Sequence, residues 1–309
     1  MGPPATGITR EDLVTPPEFA GQHLSNYVAG RIGGARIELK RHDQETRLGF
    51  CYQQIPLRVM PPFVMTGETA SLLYLINLTA GLMDGDGHHI EILAGPGTQS
   101  VVTGQSATRI HPALASYGTQ QYDVTVQDDA CLVMLPGPAI PFQGSRYFQR
   151  GRVHLAPTGR LIWGDIWVAG RYDRGALSER FQFDQIVQDL EVHRAGQLIF
   201  RDRFSWKGPW TPDQVAWYFG GELATGSLYH SGPLLDVLPE PTPGLRRAVF
   251  PLGDAGTCLR WCGHPGAVTR ELVHIALHLA GCWASGPQAP AWLLESNSLS
   301  PNHWFSSMA

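Results

Sequence analysis

Lysine is nearly missing from this chain: Lys40 and Lys207 are the only two in 309 residues. Charged residues make up 16% of the sequence, against about 25% in an ordinary soluble protein. The net charge is -4 and there is no basic run, which argues against nucleic acid as a main partner. No Gly-x4-Gly-Lys-Ser/Thr segment occurs, so nucleotide hydrolysis on a P-loop is excluded. A Gly-x-Ser-x-Gly elbow and a Cys-x2-Cys zinc pair are missing too. The cysteines, Cys51, Cys131, Cys258, Cys262 and Cys282, are odd in number and lack framework spacing. That pattern suggests reduced thiols in a cytoplasmic protein. No apolar run approaches the roughly 20 residues of a spanning helix, and the first residues lack the basic and apolar regions of a signal peptide. Gly2 and Thr6 match the loose myristoylation pattern, but Pro3 makes a poor substrate of it. The expectation is a soluble chain with no membrane partner of its own.

Turn formers, by contrast, are plentiful. Gly 35 and Pro 24 make up about 19% of the chain, where about 12% is average. Hydrophobic residues reach 43%, enough to exclude general disorder. Many short strands fit this composition better than a helical bundle. Residues 1–24, with Pro3, Pro4, Pro16 and Pro17, read as a mobile or loosely docked arm. Residues 25–284 read as a single β domain, and 285–309 as an irregular tail holding Trp292, Trp304 and Phe305.

Strand periodicity recurs from about residue 27 to 262. Ile37 and Leu39, Ile90 and Ile92, and Tyr122, Val124 and Val126 each alternate with polar neighbours. Ala195-Gly196 reads as a hairpin turn between Val192 and Leu198. A parallel sheet normally requires crossover helices, and none is legible in this stretch. One helix is predicted over 266–281, where Leu272, Ile275, Ala276, Leu279 and Trp283 follow helical spacing behind Pro265. A short helical turn is expected from Pro212 to Trp217.

Several groups carry ligand chemistry. Cys258-x3-Cys262-x-His264 reads either as a metal cluster or as buried thiols on one strand face. Glu271, His274 and His278 share a helix face and read either as metal ligands or as a solvated stripe. Asp84, Asp86, His88, His89 and Glu91 crowd into one short segment. This segment reads as a point of metal contact or as a hairpin loop entering the Ile90 strand. His88, His89 and Glu91 also fit in part a cupin-like or β-sandwich metalloenzyme. Asp165 lies between Trp163 and Trp167, where an unpaired carboxylate is expensive to bury. Arg171 and Arg174 are its natural partners, and a role lining an internal polar path is the alternative.

In order along the chain, several blocks resemble the UreD (UreH) family of urease accessory proteins. They are Thr46-Arg47-Leu48 with Pro56-Leu57-Arg58, Leu78 to Asp86, Val102 to Arg109, Leu135 to Phe142, and Leu161 to Ile166 with Gly170-Arg171 and Arg174-Gly175. Ala80, Gly104 and Arg109 depart from the family pattern, and the tail lacks its Pro-Arg-x-Trp ending. The resemblance covers about 27–283. It implies a mainly β, elongated, two-layered architecture of many strands with one or two helices near the C-terminus. It implies no enzymatic activity and no tightly bound cofactor. The implied partners are UreF, the GTPase UreG and apo-urease, with room for a homodimer within the complex. The implied role is nickel insertion into apo-urease driven by GTP hydrolysis on UreG, with Ni(II) passing transiently through an internal tunnel. Oxygen ligands release Ni(II) more readily than a thiolate cage. Asp86, Thr103, Gln105, Asp165 and Asp202 are therefore the expected path-lining groups, with His88 and His89 where the metal enters.

Overall fold

The alternation of apolar and polar residues does what period-two spacing dictates, placing one set of side chains inward and the other outward on each strand. A computed structural model describes residues 7–24, 31–64, 70–175, 178–233 and 238–285. The Gly2 pattern and the tail with its aromatic residues lie outside them. The described residues form two sheets. The first contains β1 (Ile32–His42), β2 (Glu45–Gln54), β6 (Gly87–Ala94), β9 (Gly118–Val126), β12 (Arg146–Leu155), β14 (Gln185–Arg194) and β15 (Gln197–Lys207). The second contains β3 (Leu57–Val59), β4 (Phe63–Val64), β5 (Ser71–Asn77), β7 (Gln99–Gly104), β8 (Thr108–Ile110), β10 (Cys131–Leu135), β11 (Pro138–Pro141), β13 (Arg160–Val168), β16 (Ala224–His230), β17 (Arg246–Pro251) and β18 (Thr257–Gly263).

The pairing corrects one expectation. In the first sheet β1, β6, β9, β12 and β14 run parallel to their neighbours. In the second sheet β5, β7, β10 and β13 do the same. Parallel strands need a long return connection. Here each return is made by strands of the opposite sheet, so the chain winds between the layers and needs no helix. Antiparallel strands close the array: β2 beside β1, β15 beside β14, and β16 with β18 and β17 beyond β13. Ala195 and Gly196 both have positive φ, 49° and 80°, as a two-residue type I′ hairpin requires.

The main core lies between the layers. Ile90, Ile92, Tyr122, Val124, Val153, Leu161, Trp163 and Val192 meet there, each almost wholly buried. Full burial of one such aliphatic side chain contributes about 1.5–3 kcal/mol. A second core forms on the outer face of the second sheet under α2 (Pro265–Ser285). Val268, Leu272, Ile275, Ala276 and Leu279 face the sheet, while Arg270 and His274 face solvent. The side chain of Trp283 lies outside the described residues. The helix sits close because glycine lies beneath it: a Cβ on Gly164 would come within 2.7 Å of Leu272. The shorter α1 (Pro212–Phe219) starts at a Thr211–Gln214 capping box. It closes an aromatic cluster of Trp167, Phe181, Trp206, Trp210 and Phe219 at one end of the layers.

Of the two readings of the N-terminal segment, mobile or loosely docked, residues 7–24 show the contacts of a docked segment. They form a strap across the outer face of the first sheet. Ile8, Leu13, Phe19 and Leu24 are buried, and Phe19 stacks on Tyr117 at 4.4 Å. Gln121 reads the Val14 main chain, with N–H to Oε1 at 3.0 Å and Nε2 to the carbonyl at 2.7 Å. Gln54 does the same for Ile8. The apolar residues that anchor this segment are spaced irregularly, so no periodicity marks them.

Candidate functional site

Four strands of the first sheet, β6, β9, β12 and β14, carry inward apolar series that are interrupted at the same level. On β6 the inward series Ile92, Ile90 ends at His88. On β9 the series Val126, Val124, Tyr122 ends at Gln120. On β12 Val153 and Gly151 lead to Gln149, and on β14 Val192 and Leu190 lead to Gln188. Register aligns these ends: His88 opposite Gln120, Gln120 opposite Gln149, and Gln149 opposite Gln188. A polar row therefore crosses four strands inside the molecule, with every member at least nine-tenths buried.

Asp165 reaches this row from β13 in the opposite sheet, 3% exposed. Gln149 Nε2 donates to its Oδ1 at 2.6 Å, and Trp163 Nε1 to its Oδ2 at 2.8 Å. Gln188 Nε2 lies 3.4 Å from Oδ2, and Trp167 Nε1 fixes Gln188 by donating to its Oε1 at 2.6 Å. Burial pushes the Asp165 carboxyl up to about 7 against the pull of the Gln149 and Trp163 donors. The same cause lowers His88 to about 4, so its imidazole is neutral. Its Nε2 is buried without a hydrogen-bond partner. Burial raises the Tyr122 and Tyr147 phenols well above their usual value, and both feel the charge of Asp165. A cavity of about 50 Å³ lies beyond Gln120 and Tyr122, bordered by Asn77, Thr79, Ser106 and Arg109. Such a space accommodates water or a small ion.

Asp202 of β15 is the other carboxylate near the row. Arg260 Nη2 holds its Oδ1 at 2.7 Å, and its charge adds to the upward push on Asp165. The arrangement offers a line of neutral amide and imidazole donors ending at one proton-sharing carboxyl. The row's side chains are spaced singly, and among the described residues they do not close into a cage.

The UreD urease accessory protein family model matches residues 31–293. The chain belongs to this family. It is 33% identical over 220 residues to "Urease accessory protein UreD 2" of Synechococcus sp. (strain JA-3-3Ab), covering 68% of this chain and 77% of that protein. It is 32% identical over 177 residues to "Urease accessory protein UreD 3" of Methylorubrum populi, covering 56% and 57%. It is 33% identical over 178 residues to "Urease accessory protein UreD 2" of Streptomyces griseus subsp. griseus, covering 57% of each. The last two matches thus span a little over half of those relatives.

Within this UreD-family chain the expected path residues disperse. Asp165 and Asp202 come together, and His88 joins them through the row. Asp86 does not: its carboxylate accepts from the main-chain N–H groups of Arg31 at 2.7 Å and Met83 at 2.9 Å. Asp84 likewise accepts from Leu114, Ala115 and Ser116. The segment they staple connects β5 in one sheet to β6 in the other and is not the expected hairpin loop. Thr103 is buried on the α2 side of its sheet, on the same face as Val101. Gln105 is exposed.

His88 and His89, as successive strand residues, point to opposite faces. His88 is inward, whereas His89 and Glu91 are outward, so the three cannot converge on one metal as the cupin-like reading requires. Among the described residues no arginine bonds Asp165: Arg171 pairs with Glu179, and Arg260, whose charge reaches Asp165, is bonded to Asp202. Glu271 is parted from His274 and His278, being buried and bonded to Arg247 Nη1 and Trp261 Nε1, both at 3.0 Å. Cys258, Cys262 and His264 form no ligand group among the described residues. Gln120, Gln149 and Gln188 escaped the sequence reading. Their signal was present: a polar side chain two positions before an inward apolar series, repeated on successive strands.

Proposed function

We propose that this chain is a non-catalytic urease maturation factor that works with UreF, UreG and apo-urease in the cytoplasm. Ni(II) is the cargo, and GTP hydrolysis is left to UreG. Family membership supports the maturation role, and the buried row of His88, Gln120, Gln149 and Gln188 meeting Asp165 supports passage of the ion. Single neutral donors bind a hydrated divalent ion weakly enough to let it move on. Asp165 is the one strong ligand of the row. With its carboxyl near 7, an arriving cation displaces a proton, and a returning proton displaces the cation.

The test is co-expression with apo-urease, UreF and UreG, followed by co-purification and assay of urease nickel. In this reading all four proteins co-purify. Asp165→Asn then lowers urease nickel without dissolving the complex. Full nickel loading with Asp165→Asn and Gln149→Leu combined would sink the passage, and failure of the chain to co-purify would sink the assembly.

A further inference from the structure

A second ligand group lies on the opposite face of the first sheet, away from the interior row. The geometry points to a divalent transition-metal site formed by His89, Glu91 and Asp12, with the N-terminal strap as its lid. One ligand atom from each lies within 4.8 Å of the other two. His89 is 4% exposed, and its Nε2 lies 2.9 Å from Asp123 Oδ2. When that nitrogen alone carries the ring hydrogen, Nδ1 presents a lone pair. That Nδ1 is buried, has no hydrogen-bond partner, and faces Glu91 Oε1 at 3.4 Å. A metal ion between Nδ1 and Oε1 satisfies both, as a proton on Nδ1 also would, and the titration below tells the two apart.

The carboxylate–histidine pair beneath is the arrangement that fixes metal-ligating imidazoles in the correct tautomer. Charge points the same way. Asp12, Glu91 and Asp123 bring three carboxylates, and two guanidiniums answer them. Arg36 Nε lies 2.8 Å from Glu91, its Nη2 3.4 Å from Asp12, and Arg150 Nη1 3.3 Å from Asp123. Arg152 is engaged with Glu191. With His89 neutral the cluster is one positive charge short, and a bound cation makes it up. One imidazole with two carboxylates suits Zn(II) or Ni(II) over Mg(II) or Ca(II). Asp12 is a strap residue, so an ion bound here ties residues 7–24 to β6.

The site is independent of the interior passage, and its test uses different residues. The tag-free full chain is titrated calorimetrically with Zn(II) alone and with Ni(II) alone at pH 7.5. The expected result is one saturable ion whose affinity falls by about 10- to 100-fold in Glu91→Gln and in Asp123→Asn, the size of effect seen when a metal histidine's supporting shell is cut. Asp12→Asn, placed on the strap and outside the sheet, lowers it in the same direction. Asp165→Asn leaves this Glu91-dependent event in place. Trypsin cleavage after the exposed Arg10 slows on addition of either ion in the wild type and does not slow in Asp12→Asn. No saturable ion, or one whose affinity is unchanged in both Glu91→Gln and Asp12→Asn, overturns the site. Unchanged cleavage in the presence of bound ion overturns the strap as its lid.

Discussion

Replacing Asp165 by asparagine is expected to make the protein more stable above neutral pH while making it a worse maturation factor. The reasoning starts from burial. A carboxyl raised from 3.8 to about 7 keeps its proton in the folded chain where the unfolded chain has lost it. The native state therefore binds more protons between those two values, and stability falls as pH rises across that interval. The gap amounts to about 4 kcal/mol at pH 8. Asparagine removes this cost, since it never ionises. Against it stands one rearranged hydrogen bond. Trp163 Nε1 still finds the amide oxygen, whereas the amide nitrogen meets Gln149 only if that side chain turns its oxygen inward, at a cost of about 1–3 kcal/mol if it fails. The net expectation is a gain of about 1–4 kcal/mol at pH 8, fading to zero or a slight loss at pH 5. Denaturant unfolding of wild type and variant at both pH values measures it. A variant less stable than wild type at pH 8, or equally displaced at pH 5 and pH 8, would refute the account of Asp165 as a buried carboxyl held up by desolvation. Its charge at work is then read separately, as nickel in co-expressed urease.

Other expectations follow from the same geometry. Glu271 bridges the buried side chain of Arg247 and Trp261 under α2, so Glu271→Ala should cost about 3–5 kcal/mol, the price of stranding a buried guanidinium; a loss below 1 kcal/mol by thermal unfolding would contradict it. Burial pushes the Glu271 carboxyl up, but hydrogen bonds from Thr242 and Trp261 with the Arg247 charge overcome this and hold it below its usual range. Its contribution is accordingly present above the ordinary carboxylate range and lost on acidification, so the wild-type and Glu271→Gln curves should converge at low pH. Trp217 is 83% exposed beside a half-exposed Tyr218. Trp217→Ser should leave stability within about 0.5 kcal/mol and increase the yield of monodisperse protein by light scattering. Finally, the purified chain should turn over neither GTP nor urea; hydrolysis lost on mutating His88 or His89 would overturn the non-catalytic reading.

Much of the local structure was legible because it depends on neighbours in sequence. The Val192–Leu198 hairpin, the capped turn at Pro212 and the late helix each announce themselves through turn chemistry or periodicity. Parallel pairing did not, since in the first sheet it joins partners that are 29 (Gly118 with Tyr147) to 55 (Ile32 with Gly87) positions apart and leaves no local mark. The site split the same way. Asp165 stood out as a charge among tryptophans, yet its partners were sought nearby at Arg171 and Arg174. Apart from Trp163, the partners lie on β12 and β14, reached only through the register of the opposite sheet. Asp86 and Thr103 looked like ligands by type, and only tertiary placement reveals main-chain stapling for one and the wrong sheet face for the other. The strap's docking leaves no periodic mark: its prolines signal irregularity, which is real, and irregular backbone packs well when a stack such as Phe19 on Tyr117 anchors it.

The winding of the chain between layers gives the polar row a modular origin. Each circuit, out through the second sheet and back to the first, lays down one more inward strand and with it one more member: His88, Gln120, Gln149, Gln188. The row is thus lengthened by a whole circuit and is never stretched. Duplicating one circuit would extend the line by one donor while preserving every existing pair, as in solenoids whose units touch only their neighbours. A single-residue insertion within β9 or β12 would do the reverse, turning its glutamine outward and breaking the line at that strand. Continuity of the buried polar row is in this sense a property of counting residues between strands, as much as of the residues that form it.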